Sequence, residues 1–178
     1  MGHWPQGLAV TDPPVHIHSY DSLLEAAGDV SGTIGSVVWP TANTAIFIPF
    51  RLAAPATVRK LFWMNGSIVS GNVDAGIYDK NGVRLVSSGS TLQSGANVNQ
   101  SVDVTDTVIG PGNFYLALAM DNITGTIEMT QSYTVEMLRI IGLAQQATAF
   151  ALPATATFAT VLNARLPACG AVVELASI

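Results

Sequence analysis

The chain has 178 residues and a formal net charge of −5, with 11% charged and 49% apolar residues. That length suits one domain with an arm or appendage and a sizeable core. The apolar content argues against disorder of the charged, weakly hydrophobic kind. The seven basic residues form no run and none lies between Leu85 and Leu138, so a basic nucleic-acid footprint is unsupported and no nucleic-acid partner is expected.

The single Cys169 excludes an intrachain disulfide, and its Ala, Gly and Leu neighbours suit a small buried apolar role. No basic region followed by an apolar core opens the chain. The most apolar stretch, Met137–Leu152, contains Arg139, Gln145 and Gln146 and stops at Pro153. It is too short and too polar to span a bilayer, so no membrane insertion is expected. Work outside a cell would then follow release by lysis. With so little charge, the surface has to be covered by Ser, Thr, Asn, Gln, Gly and Ala, a composition that favours association.

Residues 1–30 read as an arm broken by Pro5, Pro13 and Pro14, with a short helix expected at Asp21–Ala27 and ended by Gly28. From Val30 the pattern turns to strands. Thr33–Trp39 is followed by Thr44–Leu52, where Pro49 marks an edge or a bulge. Thr57–Met64 alternates, Asn65-Gly66 is a turn signal, and Ile68–Ser70 is a short candidate strand. The hairpin at Asn72–Thr91 organises the rest. Val73, Ala75 and Ile77 share one face, Asp79-Lys80-Asn81-Gly82 turns the chain, and Val83, Leu85 and Ser87 alternate with Arg84, Val86 and Ser88 on the return. Gln93–Asn97 reads as a polar loop. Asn99–Val104 turns Gln100, Val102 and Val104 inward. Phe114–Met120 is nearly all apolar, as a central strand buried on both faces would be. Gly125–Met129 is one more strand. Thr134–Gln146 has helix-compatible spacing, Phe150–Val161 looks extended, and Ala171–Leu175 is a last strand.

Turn signals between short strands predict an all-β fold, an antiparallel β-sandwich of jelly-roll type over 31–130. The arm at 1–30 and a mostly extended segment at 131–178, with one short helix, flank it. Val73, Ala75, Ile77, Leu85, Val102, Val104, Phe114, Leu116 and Leu118 are the expected core.

Candidate chemistry is sparse. His16-Ile17-His18 would put two imidazoles on one side of a strand, so His16 and His18 are the weak metal candidates, without acidic or thiol ligands at the usual spacing. Asp74, Asp79, Asp103, Asp106 and Asp121 fall in no D-x-D-x-D-G run and read as turn and cap residues. Glu25, Glu128, Glu136 and Glu174 lie far apart, and neither a G-x-S-x-G elbow nor a P-loop is present. Trp39, Trp63, Tyr78, Tyr115 and Tyr133 fit a core better than a sugar platform. No enzyme activity, resident metal or cofactor is expected.

The runs SGNVDAGIYDKNGVRLVSSGSTLQSG (70–95) and TDTVIGPGNFYLALAMDN (105–122) resemble a domain of small virion proteins of tailed bacteriophages. The run QQATAFALPATATF (145–158) is similar to the segment that follows that domain. The resemblance covers about Thr44–Phe158 and implies a non-enzymatic virion structural protein, assembled in the host cytoplasm and released by lysis. It implies a tail-associated, host-facing place. Capsid decoration is the alternative, and a carbohydrate-binding module contacting a host glycan the second. Other virion proteins are the expected partners. The resemblance also implies a homo-oligomer, most often a trimer. The apolar, Ala/Thr-rich Phe150–Leu166 segment is expected at the subunit interface, with Phe150, Leu152, Phe158 and Leu162 in contact and Trp4 as an anchor from the arm.

Overall fold

The computed structural model describes residues 15–19, 34–130 and 133–175. Trp4, Glu25 and the helix expected at Asp21–Ala27 lie outside them. Every strand pairing is antiparallel. In chain order the strands are β1 (Val15–His18), β2 (Ile34–Val38), β3 (Ala45–Leu52), β4 (Ala56–Met64), β5 (Asn72–Asp79), β6 (Arg84–Ser87), β7 (Thr91–Leu92), β8 (Asn99–Ile109), β9 (Gly112–Met120) and β10 (Thr126–Thr130). Helix α1 (Val135–Ile140) follows, then β11 (Ala144–Gln146), β12 (Ala159–Thr160), β13 (Leu166–Pro167) and β14 (Cys169–Leu175).

A four-stranded sheet, β1-β14-β4-β8, packs on a seven-stranded one, β12-β11-β3-β9-β5-β6, in which β7 also pairs with β5. A smaller sheet, β13-β10-β2, adds Val37, Ile127, Met129 and Leu166 to the same core. The period of two decides what each strand contributes. Ile46 and Ile48, Val73, Ala75 and Ile77, and Leu116 and Leu118 of the seven-stranded sheet share one core with Val58, Leu61, Trp63, Ala171 and Val173 of the four-stranded one. All nine expected core residues belong here, with Leu85, Val102 and Val104 partly buried. The fold is thus an all-β antiparallel sandwich.

Several local expectations need correction. Ile68–Ser70 forms no strand, and β8 runs on to Ile109. In the hairpin, Ile77 faces Val86 but Tyr78 faces Arg84, so Leu85 is a bulge residue. The alternation slips there, leaving Val86 buried and Val83 exposed. Pro49 sits where β3 outruns β11, which pairs only with Ala45–Phe47, so its missing N–H falls beside an open edge. The sheets also cross the boundaries expected at 30 and 130, since β1 and β14 pair beside β4.

The C-terminal segment is extended, as expected, but its apolar side chains are largely answered within the chain. On the outer face of the large sheet, Ala45, Phe47, Tyr78, Ala117 and Ala119 form a second core. Ala149, Leu152 and Ala156 close it, with Phe150 and Phe158 packed alongside. Phe158 meets Phe47 at 5.0 Å and Tyr115 at 4.5 Å between ring centroids, so these rings share the face with Tyr78, Phe150 and the alanines. This strap begins at β3, where Ala149 N donates to Asn43 O (2.6 Å). It ends at the hairpin, where Arg84 N donates to Ala154 O (2.9 Å) and Ala156 N to Gly82 O (2.7 Å). Gly82 is at φ +82°, and a Cβ there would stand 2.6 Å from Ala156 O, so turn and strap both require glycine.

Candidate functional site

The two histidines weighed as weak metal candidates pack on an aromatic ring. His16 and His18 lie on the same side of β1 and flank the Phe62 ring, at 6.1 and 5.8 Å between centroids. Gly170 lets this ring approach, for a Cβ there would lie 2.5 Å from Phe62 Cζ. Among the described residues no three His, Cys, Asp or Glu side chains gather where they could hold a metal ion.

The aspartates are dispersed. Asp79 Oδ1 accepts from Asn81 N (2.9 Å) and Val83 N (2.8 Å) and so fixes the hairpin turn. Asp103 pairs with Lys60 (2.7 Å), and Asp106 with Arg59. Asp121 accepts from the backbone and side chain of Asn72 and from Asn122. Its slight burial raises its pKa, but those bonds outweigh that and hold the carboxyl below the usual range. Glu174 pairs with Arg59 (2.6 Å), and Glu136 lies 3.9 Å from Arg139 on α1. Trp39, Trp63 and Tyr78 are core residues. Cys169 is buried, and burial pushes its thiol up to about 12 against a hydrogen bond from Ser19.

Of the expected interface residues, Leu152 is 2% exposed within its own chain, and Phe150 and Phe158 are half-buried in the second core. Leu162 is 66% exposed. Trp4 lies outside the described residues.

Two polar centres matter whose roles the sequence did not show: Asn65 read as a turn signal, and Asp74, expected as a turn or cap residue, lies instead buried inside β5. The first pins three loops at one end of the sandwich. Buried Asn65 donates through Nδ2 to Ser94 O (2.7 Å), Gly95 O (2.9 Å) and Gln100 Oε1 (2.9 Å). Its Oδ1 accepts from Trp63 Nε1 (2.9 Å) and Gln93 Nε2 (3.1 Å). Gln93 Nε2 also donates to Thr126 O (2.7 Å). An Asn-Gly pair and a Gln in a Ser/Gly stretch look like ordinary loop chemistry, so no local signal marks them.

The second centre is Asp74, fully buried in the middle of β5. Its Oδ1 accepts from Ser87 Oγ (2.8 Å) and Ser88 Oγ (3.3 Å), and its Oδ2 from Leu152 N (2.9 Å). Burial raises this carboxyl above its usual range, against the hydrogen bonds and the Arg84 charge. Arg84 donates to Leu152 O, so the same strap residue is held by both charges. A carboxylate set between Val73 and Ala75 in the interior of the strand is the one hint that the sequence carries.

Beside this centre, at the edge where β6 of one sheet approaches β8 of the other, lies an open cleft of about 630 Å³. Residues of β5 and β6 (Asp74, Arg84, Leu85, Val86 and Ser87), Ser88, Thr105 and Thr107 of β8 and Ala151 of the strap line it. The arrangement offers hydroxyls and one pair of opposite charges. Comparison with protein-family models, curated proteins and solved structures returned no match.

Proposed function

We propose that this chain is a non-enzymatic structural protein of a tailed-phage virion, in a tail-associated, host-facing position. One observation supports the reading above others. The three stretches that carry the resemblance are far apart in sequence yet meet in one unit: β5 pairs with β6 and β9, and the 145–158 segment straps their outer face. The polar groups suit a scaffold, because Asp74, Asn65 and Gln93 are committed to holding strap and loops. Mass spectrometry and a cryo-EM map of particles from the phage encoding the chain test the proposal. Density for it on the tail is expected. Density on the head exterior would move it to capsid decoration, and absence from particles would overturn it.

The homo-oligomer, expected as a trimer, then rests on Leu162 rather than on the buried part of the strap. Arg139 Nε donates to Val161 O (3.2 Å), which brings α1 beside this segment, and α1 carries Ile140, 84% exposed. Two large apolar side chains on joined segments suit a subunit contact. Light scattering on the full chain should give a trimer, and Leu162→Glu a monomer. A monomeric wild-type chain at micromolar concentration would overturn this part.

A further inference from the structure

We infer that the outer edge of β2 is a self-association surface, where two copies of the chain pair strand to strand, antiparallel, about a two-fold axis through Ser36. β2 ends the sheet β13-β10-β2, so one of its edges is paired and the other is open. The direction of its backbone groups follows from β10. Thr126 N donates to Ile68 O (2.8 Å), Gly66 N to Thr126 O (2.9 Å) and Ala168 N to Glu128 O (2.8 Å). Thr126 and Glu128 thus turn their backbone groups away from β2, and Ile127 and Met129 turn theirs towards it. Opposite those two stand Val37 and Gly35, which bond β10. The N–H and C=O groups of Ile34, Ser36 and Val38 therefore point outward, and among the described residues nothing pairs with them.

The strand lacks the devices that keep a sheet edge single. β6 lies against the strap, through Arg84 N to Ala154 O, and β8 carries Asp103 and Asp106. β2 has no charge and no proline, and its Ile34 and Val38 are 47% and 50% exposed. A Cβ at Gly35 would meet nothing within 4 Å, so internal packing does not require this glycine, which leaves room for a neighbouring backbone.

The symmetry selects the occupant. Centred on Ser36, an antiparallel pair sets Ile34 opposite Val38 of the second copy, Val38 opposite Ile34, and Ser36 opposite itself. At each position the outward N–H and C=O groups exchange both bonds, and the two exposed aliphatic side chains cover each other. A two-fold axis brings every charge near its own copy. It would set Asp103 and Asp106 of β8 against like charge, whereas Ile34–Val38 carries none. The contact is separate from the one proposed through Leu162 and Ile140. Its strand is 5 residues long, against about 20–30 residues a side in a stable complex, so it forms only at higher concentration.

The test is sedimentation equilibrium of the full-length Leu162→Glu chain from about 10 µM to 1 mM. Its mass should double over the micromolar value, with a dissociation constant on the order of 100 µM. Both apolar positions are exposed, so their variants stay folded. Ile34→Lys with Val38→Lys sets like charges across the axis and should abolish the doubling. Ile34→Glu with Val38→Lys sets opposite charges there and should keep the dissociation constant within about tenfold. No doubling, a doubling that survives the lysine pair, or one lost in the Glu/Lys variant would each overturn the proposal. The trimer is read from the wild-type mass at micromolar concentration, so either proposal can fail alone.

Discussion

On the outer face of the four-stranded sheet, Arg59 of β4 reaches Asp106 on β8 and Glu174 on β14, and the charged groups remain in water. Lys60 and Asp103 repeat the pattern beside them. On the outer face of the seven-stranded sheet, Phe47, Tyr78 and a field of alanines are sealed under a strap from the same chain. One face keeps its ionic groups and needs no cover. The other has Asp74 as a fixing point and needs a cover everywhere else. A chain with 11% charge cannot dress both faces of a sandwich with ion pairs, and the strap replaces the missing charge on one of them.

Substitution in the shared interior should abolish the comparison altogether. Ile77→Asp places an unpaired charge in the core that both sheets share and should cost about 4 kcal/mol or more. Soluble folded protein should be lost, and a normally folded variant would put Ile77 on the wrong face. Leu152→Ala attacks the covered face alone. Leu152 is buried over Gly76, and its truncation should cost about 2–4 kcal/mol in urea unfolding. A loss no larger than that of an exposed substitution would mean that the strap does not seal the sheet.

The pH dependence sharpens the contrast further. Folded Asp74 holds its proton to a higher pH than the unfolded chain, whose ordinary value is 3.8. Its contribution is therefore full below 3.8 and is lost as pH rises through the raised folded value. Asp121 has the opposite sign: its contribution stands above 3.8 and goes as pH falls through its lowered value. Urea midpoints measured at rising pH from 3.8 upward should show the Asp74 decline in the wild type and not in Asp74→Asn. An identical slope in the variant would assign it to another group. Arg59→Ala, on the uncovered face, should change stability by less than about 1 kcal/mol, because solvent screens its exposed partners. A larger loss would mean that this face also depends on a specific clasp.

The strands were legible because their evidence is local. Val73, Ala75 and Ile77 alternate, Phe114–Met120 is apolar throughout, and Asn81-Gly82 turns the chain. The cover was legible only as a need. The apolar, Ala/Thr-rich Phe150–Leu166 stretch called for a partner surface, but nothing local to it indicates that the surface is β3, β9 and β5 of the same chain. Asp74 was visible as a polar residue on the strand's other face, while its bond to Leu152 N spans 78 positions. Asn65 and Gln93 escaped for the same reason, since, Trp63 apart, their side-chain partners lie 23 or more positions away. The bulge at Leu85 was hidden because slipped and regular hairpins share one composition.

The placement of β14 has a consequence for how the molecule is made. It lies between β1 and β4, with Val173 opposite both Val15 and Val58. A growing polypeptide can pair β4 with β8 early, but β1 has no sheet to join until β14 has left the ribosome. Closing a loop of that span is entropically costly and slow. For much of its synthesis β4 therefore presents a bare edge to its surroundings, and neighbouring nascent chains compete for it. Pulse-labelled hydrogen exchange during refolding should accordingly protect the β3–β9–β5 amides first and those of β1 last.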